Sequence, residues 1–259
     1  MTSRGGVAAL WRRHVRGLLP RGLGYVVPVR VPEPAEVLRR RRRTVAAVSA
    51  AGAGLLGVSL SRKPASPQFY GLSLATAVTW TVGAVASGPV HRGWIETQDQ
   101  ALRRPVVVPV LTGVGAFGCF YAAALVAQRI PVLDAALRRV LRFADGSTPL
   151  VALTTLANGA AEELFFRGAL YDAVGESHPV LVSTVAYTAT TASSRNPSLI
   201  LAGAVMGTLF GLQRRATGGI QASTLTHLTW SALMLRYLPP LFREPRDAPV
   251  SESDSSVKS

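Results

Sequence analysis

Charged side chains are absent from seven stretches of this chain: Thr44–Ser61, Pro64–Val90, Pro105–Gln128, Gly146–Ala161, Ser177–Ser194, Asn196–Gln213 and Ala216–Leu235. A chain that is 16% charged does not leave seven such gaps of 16 to 27 residues by chance. A helix needs about 20 mostly apolar residues to cross the hydrocarbon core of a bilayer. Each gap therefore predicts a transmembrane helix. Several gaps hold no more than 18 residues, so their helices borrow flanking residues or end short inside protein. The gaps are rich in Ala, Gly, Ser and Thr, which lets helix backbones approach closely. The expected fold is all-α: a polytopic transmembrane helical bundle of seven to eight spans.

The segments between the gaps divide the chain. Residues 1–43 form a basic N-terminal segment, residues 44–145 carry the first helices, residues 146–240 form a core block, and residues 241–259 are a Ser-, Asp- and Glu-rich tail expected to be disordered. Pro64 and Pro67 mark a turn, and His91–Arg104 reads as a polar cytoplasmic loop. Pro131–Phe143 sets Leu133, Leu137, Val140 and Leu141 against Arg138, Arg139 and Arg142. It is too short and too charged to span, so it reads as a helix lying in the interface. Ala8–Leu19 has the same character. No internal repeat is visible.

Composition adds charge to this picture. The hydrophobic fraction is 48% and the mean hydropathy +0.27, averages diluted by the polar ends. Net charge is +14, and every basic residue except Lys63 and Lys258 is Arg. Eleven Arg precede residue 44, among them the run Arg39–Arg43. Such an excess keeps a terminus on the cytoplasmic side and is also attracted to anionic lipid headgroups. Basic runs mark nucleic-acid binding too, but neither stacking aromatics nor a nucleic-acid fold accompanies this one. The expected surroundings are a lipid bilayer, the plasma membrane of a bacterium, with the N-terminus in the cytoplasm and no nucleic-acid partner. No cleavable signal is expected, because the first 43 residues lack a long apolar core. The lone Cys119 reads as a small buried hydrophobe.

Within the core block stands Ala160-Ala161-Glu162-Glu163-Leu164-Phe165-Phe166-Arg167-Gly168. Ionisable groups at membrane depth cost roughly 2.5–3.5 kcal/mol each on insertion scales and are functional-site candidates by default. Glu163 and Arg167 are four apart, on one helix face, and can neutralise each other. Glu162 is turned about 100° from Glu163, which leaves its carboxylate without that partner and available as a base. The alternative is a helix end at the interface, with all three residues solvated. Further on, Thr224-Leu225-Thr226-His227-Leu228-Thr229-Trp230-Ser231 places His227 and Ser231 on one face. A lone helical His is more often structural than catalytic. A Glu pair in the same small apolar block shifts those odds, because buried polar groups seek one another.

The run Glu162-Glu163-x-x-x-Arg167 resembles the EExxxR motif of the CPBP family, the CAAX-protease and bacteriocin-processing membrane proteins. The resemblance covers roughly Thr148–Leu238. It extends to Gly203-x-x-x-Gly207-x-x-x-Gly211, followed by Arg214-Arg215-x-Thr217-Gly218-Gly219-Ile220-Gln221-Ala222 and His227. The family implies a glutamate-dependent endopeptidase within the membrane. In that pattern Glu162 activates water, Glu163 and Arg167 support it, and His227 takes part in an oxyanion site. Two positions depart from the pattern. An aromatic followed four residues later by His is here Tyr187-Thr188-Ala189-Thr190-Thr191, with Thr191 where the His is expected. The Asn expected four residues after His227 is Ser231. Thr and Ser can hydrogen-bond water or an oxyanion, but neither is a base at neutral pH.

The function expected from the sequence is hydrolysis of a peptide bond in a membrane-associated protein or peptide, by water that Glu162 activates. The catalytic candidates are Glu162, Glu163, Arg167, His227, Thr191 and Ser231. The competing expectation is a non-catalytic scaffold that binds peptides or partner helices, which the residues at 191 and 231 favour. A transporter using a buried Glu as a proton site lacks the second half or inverted repeat it would need. No cofactor is expected. A zinc site built from Glu162, Glu163 and His227 is the weaker reading, since HExxH is missing and catalytic zinc usually takes three protein ligands.

Overall fold

The computed structural model describes residues 19–27, 33–96, 101–144 and 148–242. The expected surface helix before Leu19 and the tail beyond Phe242 lie outside the described residues. After a short turn α1 (Arg21–Gly24), the chain forms α2 (Ala35–Leu60), α3 (Pro67–Ser87), α4 (Val107–Ala127) and α5 (Pro131–Leu141). A single helical rod follows, made of α6 (Thr148–Glu162), a π-helical segment (Glu163–Leu170) and α7 (Tyr171–Val174). Three more helices complete the bundle: α8 (Pro179–Ala192), α9 (Pro197–Thr217) and α10 (Gln221–Leu241). The loop after α3 carries a two-residue antiparallel pairing, β1 (Ile95–Glu96) with β2 (Leu102–Arg103). The fold is an all-α helical membrane bundle.

Local chemistry sets the boundaries. Ser66 accepts from the Phe69 amide at 3.2 Å, with Pro67 next in line, so α3 starts with a filled cap and a residue that lacks the amide hydrogen anyway. Asn196 receives the Ser198 and Leu199 amides at 3.0 and 3.2 Å, and Pro197 follows. α9 ends at Gly218, whose φ of 68° is the left-handed conformation that stops helices without cost to glycine.

Among the described residues, α2, α3 and α4 are long and apolar enough to cross a membrane on composition alone. The later helices are shorter or more polar. With 14 residues, α8 rises only about 21 Å, less than the roughly 30 Å hydrocarbon core. α9 and α10 carry Gln213, Arg214, Thr226 and His227 buried against the rest of the bundle. Gln213 donates to the Thr226 hydroxyl at 2.7 Å, which donates in turn to Pro109 O at 2.9 Å, joining α9, α10 and α4.

The central core joins the early helices to the site rod. Val45, Ala77, Trp80 and Ala84 pack with Phe165, Phe166 and Ala169. Trp80 is wholly buried and lies 4.6 Å from the Phe165 ring and 5.1 Å from that of Phe166. α2 can come this close to Trp80 because Gly52 faces it; a Cβ there would meet the indole at 2.3 Å.

One sequence expectation needs correction. Cys119 is exposed rather than buried; α4 turns Gly113 and Ala124 inward and leaves most of its other side chains outside. The arginine run, expected to act on membrane orientation and lipid headgroups, also takes part in the fold. Arg41 is buried, 2.5 Å from Glu33 and 3.9 Å from Asp172, while Arg42 Nε donates to Ala173 O at 3.0 Å. Asp172 also holds Arg214 at 2.7 Å. The loop after α3 is anchored as well. Trp94 N donates to Thr217 O, Ile220 N to His91 O and Gln221 N to Arg92 O, at 2.9 to 3.0 Å. At this crossing Gly219 lies against the main chain of Arg92 and Gly93 with no room for a side chain.

Candidate active site

Four helical elements supply the site: the end of α6, the π-helical segment, α8 and α10, with α9 behind. The glycines of α9 let it lie directly on α8. A Cβ at Gly203 would sit 3.0 Å from Thr191 Oγ1, one at Gly207 3.1 Å from Tyr187 Cδ1, and one at Gly211 3.0 Å from Val180 Cγ1. The glycines, spaced every four residues, thus face the row Val180, Thr184, Tyr187 and Thr191 on the neighbouring helix.

Glu163 and Arg167 form the inner layer, and neither has exposed surface. Arg167 Nη1 donates to Glu163 Oε1 at 3.1 Å and Nη2 to Gly207 O at 3.1 Å. The guanidinium lies 4.5 Å from the Tyr187 ring centre and 5.1 Å from that of Phe210, within cation–π range. Glu163 Oε1 also meets His227 Nδ1 at 3.1 Å. A carboxylate only accepts, so Nδ1 carries the hydrogen and Nε2 is the ring nitrogen left over. The imidazole stacks on Phe210 at 4.7 Å, with an interplanar angle of 23°.

Glu162 points elsewhere. The Tyr187 hydroxyl donates to its Oε2 at 2.9 Å. Glu162, Tyr187, Thr191, His227 and Ser231 all line one cavity of about 340 Å³, whereas Glu163 and Arg167 lie behind its wall. Thr191 Oγ1 donates to Tyr187 O at 2.9 Å, so its hydroxyl proton is taken and only its lone pairs remain for a ligand. Away from Glu162 the cavity is mostly apolar, with Leu56, Leu60, Val140, Leu141, Leu199 and Leu235 in its lining, and Ser73, Thr154, Thr155, Asn158 and Ser194 are its polar members.

The six residues singled out in the sequence therefore gather into two layers from three parts of the chain. Tyr187 was absent from that set; it stood in the sequence only as the aromatic four positions before Thr191. The signal available was its hydroxyl, which a Phe there would not have.

The π-helical segment is the local device that shapes the rod. Widening the turn disturbs the regular α-helical pairing of its carbonyls, and side chains take two of them. Ser183 Oγ donates to Phe166 O at 2.9 Å and Arg214 Nε to Arg167 O at 2.7 Å. Among the described residues no group of three or more His, Cys, Asp or Glu is placed to hold a metal ion. Glu163 and His227 meet at hydrogen-bond distance, and Glu162 is turned to Tyr187.

Residues 144–233 match the family model described as type II CAAX prenyl endopeptidase Rce1-like. No curated protein and no solved structure matches the chain.

Proposed function

We propose, from the membership of residues 144–233 in the CAAX-protease family, that this membrane protein is an intramembrane endopeptidase with Glu162 as its base. The observation that carries the reading is the split between the two carboxylates. Glu163 Oε1 is held by both Arg167 and His227, while among the described residues the hydrogen bond to Glu162 comes from the neutral Tyr187 hydroxyl and Glu162 borders the cavity. In the proposed reaction, Glu162 removes a proton from a cavity water as the water oxygen attacks the peptide carbonyl carbon. Ser231 Oγ donates a hydrogen bond to the developing oxyanion, and His227 Nε2 donates a second when the ring is an imidazolium with a hydrogen on both nitrogens, with the Glu163 carboxylate as its counter-charge. As the tetrahedral intermediate collapses, the C–N bond breaks and Glu162 returns its proton to the leaving amine.

The apolar length of the cavity supports a substrate delivered from the membrane, and the family description points to the peptide bond beside a prenylated C-terminal cysteine. The arginines ahead of residue 44 support a cytoplasmic N-terminal end. A second reading, a relative that binds peptides without cutting, draws on Thr191, whose hydroxyl proton is already taken by Tyr187 O. The test sets purified protein in detergent against paired peptides, prenylated and unprenylated, with Glu162→Ala as control. Cleavage of the prenylated peptide by wild type alone is the expected result. Product from neither protein, or equal product from both, would reject the peptidase reading.

A further inference from the structure

We infer that Tyr187 is a positioning residue for Glu162: its hydroxyl holds the carboxylate by Oε2 and keeps the other oxygen available to the cavity. The inference rests on the reading of Glu162 as the base. Among the described residues, the Tyr187 hydroxyl is the hydrogen-bond donor seen on Glu162. Arg167 could compete for this carboxylate, since it lies five residues on along the same rod. Its Nη1 and Nη2 are instead fixed on Glu163 and Gly207. A Glu side chain turns about three single bonds. Without a fixed donor, Glu162 would exchange between the cavity and the Arg167 side of the rod.

Tyr187 suits this task because its ring is packed against several neighbours. Its face meets Phe166 edge-on at 5.2 Å and 70°. The Arg167 guanidinium covers the ring at 4.5 Å, and Gly207 lies beside it with no room for a side chain, since a Cβ there would sit 3.1 Å from Cδ1. The hydroxyl is therefore delivered to a single place. One turn further along α8, Thr191 borders the same cavity, but its hydrogen is bonded to Tyr187 O and cannot orient Glu162 or a water. The one neutral donor that α8 brings to the carboxylate is the phenol.

A structural role would predict that losing the hydroxyl merely loosens the bundle. A positioning role predicts something more specific, namely that another donor in the same cavity can replace it. Position 191 provides one. An imidazole there would border the cavity on the same helix and supply an N–H.

The experiment uses the full chain in detergent, with a farnesylated peptide ending in Cys-aliphatic-aliphatic-Ser as probe. It compares wild type, Tyr187→Phe, Thr191→His, the double variant and Glu162→Gln. Tyr187→Phe should lower kcat by about 10- to 100-fold, the scale of one hydrogen bond to a charged group, and leave KM within about twofold. Thr191→His should recover most of that loss in the Tyr187→Phe background, raising the rate there by a larger factor than it changes the rate of wild type. Wild-type rates from Tyr187→Phe, or an equal effect of Thr191→His in both backgrounds, would overturn the inference. If Tyr187→Phe melts well below wild type, the comparison moves to Tyr187→His, which keeps a ring and an N–H. Tyr187→His must then cleave faster per folded molecule than Tyr187→Phe, and equal rates overturn the inference. Failure of the underlying reading gives a different pattern, in which Glu162→Gln cleaves as wild type does or wild type leaves the peptide uncut.

Discussion

Arg167 sits between a carboxylate and a main-chain carbonyl with none of its surface exposed. Replacing it with Ala leaves the Glu163 charge in the core without its guanidinium partner. Breaking a buried pair by removing one partner costs roughly 3–5 kcal/mol, so Arg167→Ala should lose that much stability, read as a lower melting midpoint in detergent. Glu163→Gln keeps the shape and strands Arg167 instead, and should destabilise less than truncation does. An unchanged midpoint for Arg167→Ala would mean that the pair is solvated, as at a helix end. This contact was legible in the sequence because residues four apart on a helix share a face. The Tyr187 hydroxyl on Glu162 was not, since it joins residues 25 apart across two helices. Nor was the burial of Arg41, because five consecutive arginines give no hint that one turns inward onto Asp172.

At the scale of elements, α8 and α9 show how a sequence stripe becomes a contact surface. Gly203, Gly207 and Gly211 recur every four residues, and each meets a residue of α8 too closely for a larger side chain to fit without movement. Gly207→Leu should force the two helices apart at Tyr187. Overpacking of this kind costs typically 1–3 kcal/mol, and the variant should also lose cleavage, because Tyr187 moves with α8. If Gly207→Leu keeps both stability and rate, the close packing does not control the site. In the sequence these glycines stood as part of a family resemblance and as small residues that let backbones approach; the helix they face is seen only in the fold. The π-helical segment Glu163–Leu170 had no such signal. It depends on carbonyl partners from Ser183 and Arg214, which lie on other helices and enter only once the chain is folded.

Over the whole molecule, the seven uncharged gaps all became helices, because backbone polar groups in hydrocarbon must be paired within the segment. What composition did not show is that the later helices are poorer in apolar residues because they enclose a polar site. The N-terminal part also does more than precede the bundle. Glu33, Arg41, Asp172 and Arg214 connect the start of α2 to the end of the site rod and to α9. Arg41→Ala should therefore destabilise the protein by about 3 kcal/mol as a broken buried pair, whereas the exposed Arg40→Ala should leave the melting midpoint near wild type. Equal midpoints would return the whole run to a role in membrane orientation alone.

In the proposed reaction the buried cluster ties up Glu163 and leaves Glu162 for water. Glu162→Gln keeps the size of the side chain and can still accept from the Tyr187 hydroxyl, but it cannot take a proton from water at neutral pH. The direct measurement is product formed from the same pool of prenylated peptides by wild type and by Glu162→Gln, at equal amounts of folded protein. Product from wild type and none above background from Glu162→Gln is the predicted result. Equal product from the two would contradict the assignment of Glu162 as the base.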